Sequence, residues 1–333
     1  MKFEDIISEL KQKKYQPVYF LTGEQNYYID FISDYIEKNV LTEAEKGFNL
    51  SILYGKECNA KDIAIKAKQY PMMSAYQVII IKEAQELSNI DALEDYINNP
   101  LDSTILVICY KHKKLDGRKA IAKALKNHAV YFETPRVYDN QIPDWIINYL
   151  HKKGRTITPK AAILMANSLG IDLQKIANEL EKLLVAVPQK ITIDVEHIEK
   201  YIGISKDYNV FELQNALGKR NKKDAFRIVY YFAENEKAGP MPMITILLYK
   251  YFANIMKLHF LPSKSRSEIS SALGINPFFV SDYLDASKNY HPKQISKIFQ
   301  IIQDYDLKSK GYKNTSTTQG ELLKEMIYKI INI

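Results

Sequence analysis

Residues 17–30, PVYFLTGEQNYYID, have the outline of a phosphate-binding loop without its chemistry. A loop that cradles a nucleoside triphosphate follows a buried strand with the spacing GxxxxGK[ST]. Its glycines let backbone N–H groups approach phosphate, its lysine reaches the β- and γ-phosphates, and its hydroxyl holds magnesium. Here the apolar run at 18–21 leads to Gly23, but Glu24, Gln25, Asn26, Tyr27 and Tyr28 follow. No second glycine, lysine or hydroxyl stands in register, and Glu24 sets negative charge where polyphosphate would lie. Gly23, Glu24 and Gln25 therefore mark a degenerate nucleotide site in the frame of a nucleotide-binding α/β domain.

Other catalytic chemistry is not evident. His112, His128, His151, His197, His259 and His291 are scattered without metal-ligand spacing, and no GxSxG or HExxH pattern occurs. Cys58 and Cys109 support neither a disulfide framework nor a four-ligand zinc site, and Cys109 lies in an apolar strand pattern that favours a buried thiol. No metal and no cofactor are expected. The single tryptophan, Trp145, shares the apolar side of its helix with Ile142 and Ile146 and reads as core.

The elements that position these residues follow from hydrophobic patterning. Five β-branched runs, at 17–23, 50–55, 77–84, 103–111 and 129–135, alternate with helical patterns around 27–38, 60–69, 88–98 and 118–127. Strands buried on both faces and alternating with helices predict a parallel sheet. After Pro135 the strands nearly stop. Helical spacing at 142–154, a Thr158–Pro159 start, an Asp172 cap and a short helix at 194–202 predict a small helical segment. From 209 onward the chain reads helical near 209–218, 222–236, 241–261, 265–273, 277–288, 292–309 and 318–331, with capping boxes at Ser265–Glu268 and Thr318–Glu321.

Composition sets the class and hints at a partner. Apolar content of 46% with 26% charged residues is that of a soluble globular chain, and 333 residues suffice for two or three domains. The net charge of +7 lies wholly in residues 209–333, which carry 18 basic and 11 acidic side chains. That asymmetry fits either an acidic partner or a solvated helical surface. The chain opens on an amphipathic, charged stretch rather than a signal peptide, and its longest uncharged apolar-rich run, 238–249, is too short for a bilayer. A cytoplasmic protein is expected.

Six stretches in this order resemble the delta subunit family of the bacterial DNA polymerase III clamp loader: PVYFLTGEQNYYID at 17–30, KQYPMMSAYQVIIIKEAQEL at 68–87, KLDGRKAIAKALKNHAVYFE at 114–133, DLQKIANELEKL at 172–183, DYNVFELQNAL at 207–217 and NPFFVSDYLDASKNY at 276–290. The resemblance spans essentially the whole chain. It implies α/β plus α architecture: an AAA+ (RecA-like) parallel-sheet domain at 1–137 with a degenerate phosphate loop, a small helical lid at 138–206 and an all-helical collar at 207–333. It also implies a subunit without ATP hydrolysis of its own, which binds and opens the ring-shaped sliding clamp (beta). Such a subunit sits beside ATPase (gamma/tau) and delta-prime subunits, near primer–template DNA on the nucleoid. Lys82–Glu83 stand where an active ATPase places an Asp–Glu pair to hold magnesium.

The resemblance further assigns clamp contact to Tyr70, Pro71, Met72 and Met73. As residue types, the two methionines suit a cap on the α/β core better than a partner pocket, and the resemblance reverses that preference. The basic run at 111–126, with Lys113, Lys114, Arg118 and Lys119, fits a solvated helix face or a contact with a neighbouring subunit or DNA. Lys219 and Arg220, and the loop residues Lys308, Lys310, Tyr312 and Lys313, combine basic groups with an aromatic that could stack on a base. Two other functions remain consistent with the residues alone: a stand-alone DNA-binding protein, and a nucleotide-dependent ATPase with an unorthodox loop.

Overall fold

The computed structural model describes residues 1–113, 115–205, 208–262 and 265–333. Lys114 and the expected boundary at 206/207 lie outside the described residues. Two compact units form, one of Met1–Tyr138 with Ile171–Asn178, the other of Asp139–Gly170 with Glu179–Ile333.

In the first unit the five β-branched runs become β1 (Val18–Gly23), β2 (Leu50–Tyr54), β3 (Gln77–Lys82), β4 (Thr104–Lys111) and β5 (Val130–Glu133). All pair in parallel, in the order β2-β3-β4-β1-β5. Parallel neighbours need crossovers, and α1 (Phe3–Lys11), α2 (Asn26–Asn39), α3 (Glu43–Asn49), α4 (Ala60–Ala67), α5 (Glu94–Asn98) and α6 (Ala120–His128) accompany them. Strand alternation sends Val18, Phe20, Ile79, Ile81, Leu106 and Ile108 to one face, packed with apolar residues of α4, α5 and α6. Tyr19, Leu21, Val78, Ile80, Ile105 and Val107 go to the other, against α1 and α2. Each fully buried aliphatic side chain contributes about 1.5–3 kcal/mol by area.

Burial on both faces holds for β1, β3 and β4. The outer strands β2 and β5 keep exposed positions, because each has a paired neighbour on one side alone. Cys109 is buried in β4, and burial pushes its thiol up to about 12.

The rest of the chain is helical: α7 (Ile142–Lys152), α8 (Pro159–Leu169), α9 (Leu173–Ala186), α10 (Val195–Ile202), α11 (Val210–Gly218), α12 (Lys222–Glu234), α13 (Met241–His259), α14 (Arg266–Leu273), α15 (Val280–Asn289), α16 (Pro292–Ser309) and α17 (Gln319–Ile331). The expected caps form. Thr158 Oγ1 accepts from Ala161 N at 3.3 Å, and Asp172 Oδ1 accepts from Gln174 N at 3.0 Å. The Ser265 and Thr318 hydroxyls accept from the amides of Glu268 and Glu321. A cap that the sequence pattern does not show comes from Arg155, which is buried and donates to the Val187 and Pro188 carbonyls just past α9.

Three expectations change. The 88–98 helix is a 3-10 turn over Ile90–Leu93 followed by the short α5, and Asn89 enters it with φ 54°. The 277–288 helix likewise begins as a 3-10 turn over Pro277–Phe279 before α15. Trp145 is half-buried and stacks on Tyr149 with ring centroids 5.2 Å apart, so it covers its helix rather than filling the core.

The core of the second unit joins α11, α12, α13, α15, α16 and α17. The end of α15 closes the end of α11: the Tyr290 hydroxyl donates to Leu217 O at 2.7 Å and Asn289 Nδ2 donates to Gly218 O at 2.8 Å. Burial pushes the Tyr290 phenol up to about 12. Tyr290→Phe keeps the ring and removes one of the two hydrogen bonds to the Leu217 carbonyl, which Arg220 N still donates to at 2.9 Å. It is expected to lower stability by about 0.5–1.5 kcal/mol, read as a lower urea midpoint with an unchanged slope.

Candidate functional site

The turn after β1 is closed from within. Gly23 has φ 127°, and a side chain there would run into Thr134 just beyond β5. Thr134 Oγ1 accepts from Gln25 N at 3.2 Å, and His112 N donates to Gly23 O at 3.1 Å. Asn26 Nδ2 lies 3.0 Å from His112 Nε2. The backbone amide that would face a phosphate is thus bonded to a threonine hydroxyl, and the turn is tied to the ends of two neighbouring strands.

The ends of β3 and β4, where the resemblance places metal-holding acids, carry charges that pair among themselves. Lys111, at the end of β4 and nearly buried, sets its ammonium 2.7 Å from Asp30 Oδ1 and 3.4 Å from Glu83 Oε1. Burial alone would raise the Glu83 carboxyl, but the Gln85 side chain and the Lys111 ammonium outweigh it and hold it low. Burial would likewise lower Lys111, and Asp30 and Glu83 hold it high instead. Lys82, in place of the first acid, points its ammonium at Asp34 and Glu37 of α2, 3.7 and 3.8 Å away.

The apolar segment before β3 is presented rather than packed. Tyr70 and Met72 are exposed, Pro71 is half-buried, and Met73 is 100% exposed with φ 52°. Its ends are fixed by side chains on the strands: Gln77 Nε2 donates to Lys66 O at 3.0 Å, and Thr104 Oγ1 to Ala67 O at 3.0 Å, holding the end of α4. Its middle is fixed by Asn49, whose Oδ1 accepts from Met72 N at 2.7 Å and whose Nδ2 donates to Met72 O at 2.9 Å. The methionines therefore do not cap the α/β core.

The model of the DNA polymerase III delta subunit matches residues 19–134, and the model of the delta subunit's C-terminal domain matches residues 207–328. Together they cover more than half of the chain. The chain belongs to the DNA polymerase III delta subunit family. It is 26% identical over 324 residues to DNA polymerase III subunit delta of Bacillus subtilis, covering 92% of this chain and 91% of that protein. Its fold is similar to that of the Bacillus subtilis DNA clamp loader delta protein, with a TM-score of 0.58 and 23% identity over 100% of both chains. As a delta-family member the chain is a clamp-loader component of DNA polymerase III, acting in DNA replication. Among the described residues no helix is long and apolar enough to cross a membrane, and no group of His, Cys, Asp or Glu is arranged to hold a metal ion.

In this delta-family chain the basic candidates have partners of their own. Lys113 pairs with Glu86 at 2.7 Å, Lys119 with Asp91 at 2.7 Å, and Arg118 with Asp116 through two hydrogen bonds of 3.0 and 2.9 Å. Arg220 donates through Nε and Nη2 to Asn289 O and lies 4.4 Å above the Tyr290 ring, so it braces the end of α15. Lys219 ends α11. Lys308 and Lys310 pair with Asp304 and Asp306 one turn back along α16. Tyr312 stands exposed after Gly311, with Lys313 Nζ 5.4 Å from its ring.

Two residues of the exposed segment's surroundings were not legible as candidates. Phe48 on α3 is 74% exposed and Asn49 is buried beside it. The signal for α3 is nonetheless present: Thr42 and Glu45 form a capping box, the T-x-x-E spacing that opens a helix.

Lys111→Met tests this pairing. Removing the ammonium leaves Glu83 and Asp30 without their shared partner, and stability near pH 7 is expected to fall by about 1–2 kcal/mol, between the worth of surface and buried pairs. Glu83 has a folded pKa below its unfolded value, so its contribution is full above the ordinary carboxylate range and is lost as pH falls through the folded pKa. The deficit of Lys111→Met against wild type should shrink below about pH 4, as measured by denaturant titration across pH.

Proposed function

We propose that the chain is the non-catalytic, clamp-opening subunit of its loader. It would bind the ring-shaped sliding clamp (beta) through Tyr70, Pro71, Met72 and Met73, and hold the ring open for loading onto primed DNA. The observation that carries this reading is Met73: a large apolar side chain, fully exposed, in a backbone conformation that L-residues rarely adopt. An apolar side chain held out in this way gains stability only against a partner. Burying each methionine in an apolar pocket contributes about 1.5–3 kcal/mol by area.

The residues at the β1 turn do not fit a nucleoside triphosphate with magnesium. The Gln25 amide is bonded to Thr134, no lysine, serine or threonine stands at the loop positions after Gly23, and Glu83 already has an ammonium partner. The energy for loading would then come from ATP held by gamma/tau subunits, with delta-prime completing the assembly in the cytoplasm, on the nucleoid. We assign residues 1–137 to the AAA+-like clamp-binding domain, 138–206 to a lid and 207–333 to a collar that joins the subunits.

Contact with primer–template DNA falls best on Tyr312 with Lys308, Lys310 and Lys313. The pairs Lys308–Asp304 and Lys310–Asp306 reach solvent, and such surface pairs are worth only about 0–1 kcal/mol, so phosphate can displace the carboxylates; here they lie beside the exposed Tyr312 ring. Lys113, Arg118 and Lys119 form surface pairs of the same kind but with no aromatic beside them, and they are assigned, with Lys219 and the Asn289-bound Arg220, to subunit contact.

The test is a titration of the cognate sliding clamp without ATP. Met72→Ala/Met73→Ala should weaken binding by about 30-fold or more, the equivalent of about 2 kcal/mol. Met73→Gly relieves a left-handed non-glycine conformation worth about 1 kcal/mol. It should therefore raise or preserve thermal stability while still weakening clamp binding. Wild-type affinity in both variants would remove residues 72 and 73 from the interface.

A further inference from the structure

Met73 directly follows a residue tied to α3. The buried Asn49 amide pairs with the Met72 backbone in both directions, Met72 N to Oδ1 at 2.7 Å and Nδ2 to Met72 O at 2.9 Å. This is the two-bond pattern of adjacent strands, made by one side chain. Aspartate lacks the donor, leucine lacks both groups, and glutamine sets the amide one carbon too far.

We propose that α3 is a positioning element for the clamp-contact segment and that Asn49 is the positioning residue through which it acts. The proposal rests on the clamp-binding reading above. Met73 makes no packing contact that could impose φ 52° on it, since it is fully exposed. The residue just before it, Met72, is bracketed by Asn49 and sets the backbone from which Met73 projects. A segment already fixed in its bound form does not spend binding energy on ordering, and the competent fraction of the free protein stays high. Without the Asn49 bracket the segment samples other conformations, and apparent affinity falls by the fraction lost.

The experiment is a double-mutant cycle between Asn49→Ala and Met73→Ala, read as Kd for the cognate sliding clamp, with amide hydrogen exchange on the free chain. Asn49→Ala is expected to weaken binding by about 5- to 30-fold and to speed exchange at the Met72 and Met73 amides, leaving β3 protected. In the Met73→Ala background the same change should cost little, because the side chain being positioned is gone. Asn49→Gln, which keeps the amide but sets it one carbon too far for the pair, should give a loss of the same kind even if Asn49→Ala folds poorly. Equal losses in both backgrounds would show Asn49 to be merely structural and overturn the proposal. So would wild-type affinity in Asn49→Ala and Asn49→Gln when Met73→Ala binds weakly. Wild-type affinity in Met73→Ala would instead overturn the clamp-contact reading itself, and the positioning role with it.

Discussion

The parallel ladder of β3, β4 and β1 fixes where everything else in the first unit can be. Parallel strands begin at one edge of a sheet and end at the other, so their carboxyl ends share one rim. The register sets Gly23 of β1 against Lys111 of β4, with β3 ending beside them at Lys82. Glu83, Gln85, His112 and Thr134 follow those ends directly, so residues far apart in sequence converge there. The placement of strands, more than any single residue, brings these groups to one rim.

Charges converging on a partly buried rim must be satisfied there. A carboxylate such as Glu83 at a partly buried rim requires a cation or proton, because desolvation disfavours the unpaired ion. Lys111 supplies the cation from within the chain, and its own burial is tolerable only because Asp30 and Glu83 flank it. The Gln25 amide poses the same problem in neutral form, and the Thr134 hydroxyl meets it. Charge and hydrogen-bond satisfaction in the free chain thus account for Lys111 and Thr134 without reference to a ligand.

Legibility in the sequence followed the range of the interaction. The five strands were visible because β-branched runs bounded by turns are local signals, and helix starts such as Thr158 and Asp172 were visible because a cap acts within three residues. What stayed hidden was set by distant partners. Lys111 and Arg220 read as free basic residues, yet Lys111 meets Asp30 and Glu83, and Arg220 meets Asn289 and Tyr290. The short α3 was overlooked despite its T-x-x-E spacing, since seven residues cannot show helical periodicity. Trp145 looked like core because an apolar helix face does not say how deep its edge lies. Tyr70, Pro71, Met72 and Met73 could be placed as an exposed segment only once the fold showed that no core surface receives them.

The construction of that segment follows from a general conflict. A side chain that is to be buried by a partner cannot be buried by its own fold, so packing, the strongest source of conformational order, is not open to it. Order must then come from polar ties on its neighbours, whose geometry is directional and whose groups stay satisfied whether or not the partner is present. Gln77 and Thr104 fix the end of α4 from the strands, Asn49 fixes Met72, and Met73 is left projecting with nothing of its own to hold it. The ties lie beneath the segment rather than in it, so they remain out of the way of an incoming surface. A loop ordered in this manner can be apolar at its tip and still keep one shape in water.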